Sequence, residues 1–161
     1  MKTLIAVSLL LVSLVLADEA KSLLKPTNKV ETWRFEQHEG GKGSLKADGD
    51  AIVFTIEEVD GTDWHVQAVQ TDLDLKAGTQ YLLKFEIKAS ENRSITVGAN
   101  IDEEDWHSIG LHEQIFIGKE FKPQTLVFTA ESVAAKKNRI GLVLGEAKGT
   151  VSVKNMTLTA K

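Results

Sequence analysis

The sequence predicts an all-β fold in which two antiparallel sheets pack as a β-sandwich of the jelly-roll type, with about nine to ten strands. Two observations predict it. Apolar residues recur at every second position in several short segments rich in Val, Ile and Thr, as half-buried strands require. Turn residues separate these segments, and no long helical pattern lies between them, which excludes folds built from βαβ units.

The strand-like segments continue in order to the C-terminus, each with one apolar row and one polar or small row. In chain order they are 51–56, 81–89, 94–101, 126–130, 140–144 and 151–158, with turns at 77–78, 91–92, 102–105 and 145–149 and a loop at 131–138. Since one row of each strand packs between the sheets, function must lie in the outward row or in the loops.

The N-terminus resembles a secretory signal peptide. Lys2 precedes an apolar run from Leu4 to Leu16, and Ala17 stands before an acidic pair, as at a signal-peptidase site. The run is short of the roughly 20 residues that cross a bilayer, although an uncleaved anchor is the alternative. We therefore expect a signal peptide at 1–17, a linker at 18–29 and one domain at 30–161, with the protein secreted or periplasmic.

Composition narrows the possible partners. A chain of 161 residues suffices for one domain with a real core. Its net charge of −4 and its lack of a basic cluster predict no nucleic-acid partner and no membrane partner. Without cysteine, disulfides and thiolate chemistry are excluded. The oligomeric state is not indicated.

A resemblance to a known family lies in three consecutive segments: Asp63–Gln70 with its Trp and Gln, Leu73–Tyr81 with its Gly and Tyr, and Leu83–Ala89 with its Phe and Lys. They resemble carbohydrate-binding modules of families four, nine and twenty-two. Trp106 and the closing segment Gly149–Leu158 extend the match over most of residues 33–159. The resemblance implies a non-enzymatic jelly roll that holds a glycan, such as a plant-type β-glucan or xylan, in a groove lined by aromatic and amide side chains.

The same resemblance raises the question of a structural calcium ion, which many of these modules hold. Lys154 and Asn155 stand where carboxylates are common, and a lysine repels the cation. Glu36 matches an N-terminal ligand only loosely. We therefore expect no cofactor, with calcium left as the open alternative.

Sugars are bound by aromatic rings that stack on the apolar face of a pyranose and by planar polar groups that pair with its hydroxyls. The carbohydrate-binding candidates are Trp64, Gln67, Arg93, Asn100 and Trp106. Alternation along the chain places Trp106, Gln67 and Asn100 on outward rows, His107 on the core side and Arg93 at a strand start. Trp33 is expected in the core, and Arg139 is a weaker candidate.

The tripeptide Asp-Trp-His occurs twice, at 63–65 and 105–107, each time before a strand. If the two junctions are neighbours, the indoles form a paired platform at one rim of a groove; otherwise the repeat is coincidental. Alternation with Val66 places Trp64 on the core side, but strand ends often bulge, so both orientations remain open.

Other functions have weaker support. His65, His107 and His112 lack the spacing of a zinc motif, and no nucleophile elbow or phosphate loop is present. Carboxylates lie mostly in exposed turns, which disfavours a glycosidase pair. Two rivals to glycan binding remain, an exported protein-interaction domain and a small polysaccharide-active enzyme.

Overall fold

The computed structural model describes residues 21–161, and the expected signal peptide at 1–17 lies outside them. The described chain forms two antiparallel sheets of five strands each, which confirms the predicted all-β sandwich. The strands are β1 (Arg34–Gln37), β2 (Lys42–Asp48), β3 (Ala51–Glu58), β4 (Val66–Leu73), β5 (Gln80–Ala89), β6 (Arg93–Ile101), β7 (Ser108–Ile117), β8 (Lys122–Thr129), β9 (Asn138–Val143) and β10 (Gly149–Ala160), with 3-10 turns at Val30–Thr32 and Asp63–His65.

Strands that are distant in sequence become neighbours in both sheets. The first sheet has the order β1-β4-β9-β6-β7, and the second has the order β2-β3-β10-β5-β8. In the first sheet β9 lies between β4 and β6 and is antiparallel to both. Local sequence pattern does not reveal this order, and the order decides which outward side chains meet.

The core fills the space between the sheets with the apolar rows that the alternation predicts. Its largest fully buried side chains are Phe54, Ile52, Ile56, Leu83, Ile87, Ile95, Ile109, Leu111, Ile140, Leu142, Leu144 and Leu158. Trp33 belongs to the core as expected; its ring meets Phe54 edge-on at 5.2 Å between centroids.

The closing strand β10 changes its alternation at a bulge. Val151 and Val153 face the core, the register shifts between Lys154 and Thr157, and Met156 and Leu158 then continue the buried row. Asn155 takes the extra position, with a φ of 53°. Strand β10 pairs with β3 over residues 149–154 and with β5 over residues 151–160, and the bulge keeps its buried row inside along the whole strand.

Residues 21–29, assigned above to a linker, instead pack against the sandwich. Leu24 and Thr27 are buried, and the backbone N–H of Leu23 donates to the carbonyl of Leu158 at 2.8 Å. The Gln70 side chain accepts from the N–H of Lys25 and donates to its carbonyl, at 2.9 and 3.3 Å. The polar composition of this segment favours a linker, but one leucine is buried and the backbone is hydrogen-bonded to the domain.

No helix within residues 21–161 is long and apolar enough to span a bilayer.

Candidate functional site

A depression on the outward face of the first sheet has glycine at its centre. Gly98 on β6 and Gly141 on β9 are directly paired, and Thr96 and Val143 form the next pair. A Cβ on Gly98 would lie 2.8 Å from Oδ1 of Asn100, and one on Gly141 would lie 2.9 Å from Cγ1 of Val69. Residues larger than glycine are excluded at both positions, so no side chain fills the floor of the depression.

The depression is a groove of about 450 Å³ with a tryptophan at each end. Its walls include Glu36 and His38 on the β1 side and His112 on β7. Trp64 and Trp106 are both about half exposed, at 49% and 50%. An exposed indole loses apolar contact with the core, so two beside one cavity indicate a contact surface.

Trp64 lies in the 3-10 turn that precedes β4, and this turn interrupts the alternation of the strand. Its backbone N–H donates to Asp63 Oδ1 at 2.8 Å. His65, rather than Trp64, is buried, and its Nδ1 lies 2.6 Å from Asp60 Oδ2. The indole packs on two imidazoles, with centroids 4.2 Å from His65 and 5.6 Å from His38. The turn thus settles the open orientation of Trp64 in favour of the groove.

Asp60 holds the loop that carries Trp64. One carboxylate oxygen accepts from the N–H of Gly40 at 3.1 Å, and the other accepts from the N–H of Thr62 at 3.1 Å. The bond to His65 chiefly, and these two contacts to a smaller extent, keep the pKa of Asp60 below its usual value. The contacts join the turn before β4 to the hairpin after β1.

Trp106 is held in a loop with two successive left-handed residues. Asp105 has a φ of 81° and Trp106 a φ of 50°, conformations that non-glycine residues rarely adopt and that cluster at functional sites. Asn100 Nδ2 donates to the Trp106 carbonyl at 2.9 Å. The Arg139 guanidinium lies 4.8 Å from the centre of the indole ring, in a cation–π contact. Arg139 therefore supports one side of a ring that remains half exposed.

His107 ties this loop to the segment after β8. Its Nδ1 lies 2.7 Å from Asp105 Oδ1, and its Nε2 lies 2.9 Å from the Ser132 carbonyl. Both partners are acceptors, so only the imidazolium donates to both. Hydrogen bonds to Ser132 and Asp105 accordingly raise the pKa of His107, while His107 lowers the pKa of Asp105. His107 is partly exposed, so its predicted place on the core side was wrong: the loop ends its alternation before β7 begins.

The charged side chains beside the groove neutralise one another. Arg34 makes a two-pronged contact with Asp102 at 2.5 and 2.9 Å and also pairs with Glu36 at 2.7 Å. Arg139 lies 3.3 Å from Glu36 and 3.7 Å from Asp102. These bonds raise the pKa of Arg34, chiefly through Asp102, and lower that of Asp102, chiefly through Arg34. Two guanidinium groups and two carboxylates thus form one balanced network.

Four of the five predicted binding residues line this groove: Trp64, Gln67, Asn100 and Trp106. Within residues 21–161 the Gln67 amide makes no hydrogen bond to the protein, so it is available to a ligand, whereas the Asn100 amide already holds the Trp106 loop. The two Asp-Trp-His motifs do not form a platform at one rim. Gln67 and Asn100 pair with Val143 and Arg139 of β9, four residues or about 13 Å apart, so the indoles lie at opposite ends.

Arg93 does not belong to the groove, and its prediction as a binding residue was wrong. It shares the inward row of β6 with Ile95 and Val97 and is 6% exposed. Its Nη2 donates to the Leu144 carbonyl at 2.6 Å, while Nε and Nη1 have no partner. Burial lowers its pKa. A strand-end arginine looks like a surface charge in sequence, but the strand's alternation already places it inward.

Sequence reasoning undervalued Arg139 and did not select His38 or the glycine pair. Arg139, Gly141 and Val143 share the outward row of β9, which the alternation shows. Nothing local indicates that β9 lies beside β6, and this neighbourhood brings Gly98 to Gly141.

The positions at which the family resemblance would place calcium ligands hold residues that do not fit that ion. Lys154 Nζ lies 3.7 Å from both Asp50 and Glu86, so the lysine ammonium group stands beside these carboxylates where a calcium ion would have to bind. The Asn155 amide donates to Glu86 at 2.8 Å. Glu36 is committed to the arginines beside the groove. Among the residues that the structure describes, no cluster of three or more His, Asp or Glu side chains is arranged to hold a metal.

A family model described as a carbohydrate binding domain, covering families four and nine, matches residues 26–148. The chain belongs to this family. The resemblance seen in the sequence is thereby confirmed. A search of curated protein sequences finds no match.

Solved structures share the fold of this carbohydrate-binding domain at low sequence identity. A family-four module aligns with a TM-score of 0.74 and 20% identity over 80% of this chain and 86% of its own. The N-terminal cellulose-binding domain of Cellulomonas fimi β-1,4-glucanase C aligns at 0.66 and 18%, over 83% and 91%. The xylan-binding CBM22-1 domain of Paenibacillus barcinonensis Xyn10C aligns at 0.55 and 11%, over 88% and 92%.

Proposed function

We propose that the protein binds a neutral polysaccharide in the groove of the first sheet and does not cleave it. The observation that carries the proposal is the pair of half-exposed indoles, Trp64 and Trp106, at the two ends of a glycine-floored groove. Pyranose rings present apolar C–H faces that stack on indole and hydroxyls that pair with planar polar groups. Gln67 supplies a free amide between the indoles, and His38 and His112 add polar groups at the walls.

The electrostatics of the groove favour a neutral glycan. Arg34 and Arg139 are paired with Glu36 and Asp102, so neither guanidinium is free for the carboxylate of an acidic sugar. Recruiting Arg139 to a uronate would leave Glu36 without one of its cations and the Trp106 ring without support. Breaking such a partly buried pair is costly.

The class of glycan follows by analogy from the structural neighbours. One is described as cellulose-binding and another as xylan-binding, which supports a β-glucan or xylan as the ligand. A panel of soluble polysaccharides distinguishes the two classes. We expect affinities between micromolar and millimolar, about −8 to −4 kcal/mol.

Hydrolysis is not part of the proposed function. A glycosidase needs two carboxylates about 5 to 9.5 Å apart, one of them with a raised pKa. Among the described groove-lining residues, Glu36 is the sole carboxylate, and it is paired with Arg139. The adjacent Asp102 has a lowered pKa, unsuited to an acid. The proposed binding mode uses side chains alone, without a cofactor.

The N-terminal sequence supports a proposal for the localisation of the protein. Residues 1–17 have the pattern of a signal peptide, so we propose that the protein meets its glycan outside the cytoplasm, in a periplasm or beyond.

Affinity gel electrophoresis tests this function. The protein runs in gels that contain soluble β-glucan, xylan or a charged polysaccharide, and retardation reports binding. We expect retardation by one of the neutral polymers and a loss of it in Trp106→Ala. The matched control is Phe121→Ala, which removes an aromatic ring near Lys88 and Lys154 on the second sheet and leaves retardation unchanged.

Two results would contradict the proposal. Retardation only in the charged polymer would overturn the choice of a neutral ligand. The rival protein-interaction domain would be favoured if no glycan changed migration and the immobilised protein specifically retained a secreted protein.

A further inference from the structure

The exposed aromatic residues of the chain all lie on one face. The sequence has three tryptophans, one tyrosine and six phenylalanines. Within residues 21–161, which contain all of them, the ones classed as exposed are Trp64, Trp106 and Phe116. Phe116 is the most exposed of the three, at 69%, and it lies outside the groove described above. A single exposed phenylalanine is common, but its position beside two binding-site candidates is informative.

Phe116 faces the same side of the first sheet as the groove. It pairs with Ser94, and Gln114 pairs with Thr96, so both side chains belong to the outward row of the edge strand β7. The adjacent Ile117 is buried, as alternation requires. The β7 wall of the groove therefore continues from His112 through Gln114 to Phe116.

Phe116 is level with Trp64 across the sheet. The turn of Trp64 is joined to the end of β9 by the bond from the Gly145 N–H to the Asp63 carbonyl, at 2.8 Å. Thr96 pairs with Val143, so Ser94 and its partner Phe116 lie two residues further, opposite Gly145. In the order β4-β9-β6-β7, the strand that follows the Trp64 turn and the strand of Phe116 are three strand spacings apart, about 14 Å.

The surface between Phe116 and the groove is low and polar. Ser94 and Thr96 are the outward residues of β6 in this region, and both are small and partly exposed. Gln114, next to Phe116 on the same row, is exposed and presents an amide. A lone ring flanked by hydroxyl and amide groups suits an amphipathic sugar ring better than a protein partner, which needs a wider apolar patch.

We propose that the glycan-binding surface continues from the groove across β6 onto β7, where Phe116 stacks on a further sugar of the same neutral chain. This inference rests on the proposed function. It extends the binding surface across the strands towards the β7 edge, at an angle to the line between the two indoles, and it makes the protein prefer an internal segment of a polymer to a short oligosaccharide. Gln114 pairs with hydroxyls of the sugar next to the ring.

Calorimetric titration with neutral oligosaccharides of increasing length, and with the parent polymer, tests this extension. The wild type gains affinity with each added sugar until the chain reaches Phe116. Phe116→Ala binds the shortest ligand as the wild type does but loses the last gain, about tenfold for the polymer. The matched control is Val127→Ala, which trims an exposed apolar residue on the second sheet and leaves the length series unchanged.

A second variant reports contact directly. Phe116→Trp keeps a flat ring, so it retains the wild-type length series, and its added indole changes fluorescence only with the longer ligands. If Phe116→Ala matches the wild type at every length, the extension is wrong while the groove stands. If the wild type binds no glycan of any length, the proposed function fails and the extension fails with it. Capture of a protein that Phe116→Ala no longer binds would assign the ring to a protein interface.

Discussion

The two sheets have the same inward face and different outward faces. Both contribute alternating aliphatic rows to one core. Outside, the first sheet has paired glycines and three exposed aromatic rings, whereas the second has lysines and hydroxyl side chains around a smaller depression that includes Lys46, Lys88 and Ser152. Its nearby aromatic ring, Phe121, has the ammonium groups of Lys88 and Lys154 each 4.7 Å from its centre.

This difference shows how one sandwich separates stability from recognition. The inward rows must be apolar to form the core, so they carry little information about function. The outward rows are free to vary, and only one of them pairs small residues with uncovered rings. The following predictions test that contrast.

Removal of both indoles has the largest expected effect. In Trp64→Ala/Trp106→Ala, each truncation costs about 2 kcal/mol of binding, roughly thirtyfold, so retardation by the neutral polymer disappears. Both side chains are half exposed and outside the core, so the thermal unfolding midpoint stays close to the wild-type value. A double variant that still binds as the wild type does would contradict the contrast between the two sheets.

A methyl group on the groove floor is expected to cause the second-largest loss of affinity. Gly98→Ala places a Cβ 2.8 Å from Asn100 Oδ1, so the amide must move and the Trp106 loop shifts with it. We expect affinity for the polymer to fall about tenfold by titration. The control is Gly49→Ala in the turn between β2 and β3 of the second sheet, where nothing lies within 4 Å of the new Cβ. Equal affinities in the two variants would show that the floor is not in contact with ligand.

The pH dependence of binding has a smaller expected effect. The pKa of His107 is raised in the folded protein, so its contribution to the loop is present below about pH 6.5 and is lost as the pH rises through the higher folded-state pKa. Above that value the imidazole donates to only one of Asp105 and Ser132, and the Trp106 loop loosens.

Affinity is therefore expected to weaken roughly two- to fivefold between pH 5.5 and pH 8. His107→Gln flattens this profile, which assigns the pH dependence to the Trp106 loop. An unchanged profile in the variant would place the titrating group elsewhere.

The smallest effect is expected at Arg93, which tests the inward assignment. Arg93→Met replaces a buried guanidinium that has two unpartnered nitrogens with an apolar chain of similar length. The loss of one hydrogen bond to the Leu144 carbonyl is offset by the removal of a buried charge whose other nitrogens have no partner. We expect unchanged glycan affinity and a free energy of unfolding no more than about 1 kcal/mol below the wild type in urea denaturation. Loss of glycan binding without loss of stability would return Arg93 to the site.

Much of the site was recognisable in sequence because its parts are local. Gln67, Asn100 and Trp106 were correctly placed on outward positions by alternation along the chain. The errors have two causes. His107 lies in a loop where alternation stops, and a similar turn left the orientation of Trp64 open, whereas Arg93 was judged by residue type although alternation already placed it inward.

The sequence by itself determined the all-β class, the apolar rows and the tryptophan-bearing loops, because each depends on residues close together in the chain. Only the tertiary structure decided that β9 lies between β4 and β6, that Gly98 meets Gly141, and that two distant Asp-Trp-His motifs face one groove from opposite ends. The physical reason is that strand order is set by long-range packing of the whole core, and alternation along one strand contains no information about its neighbours.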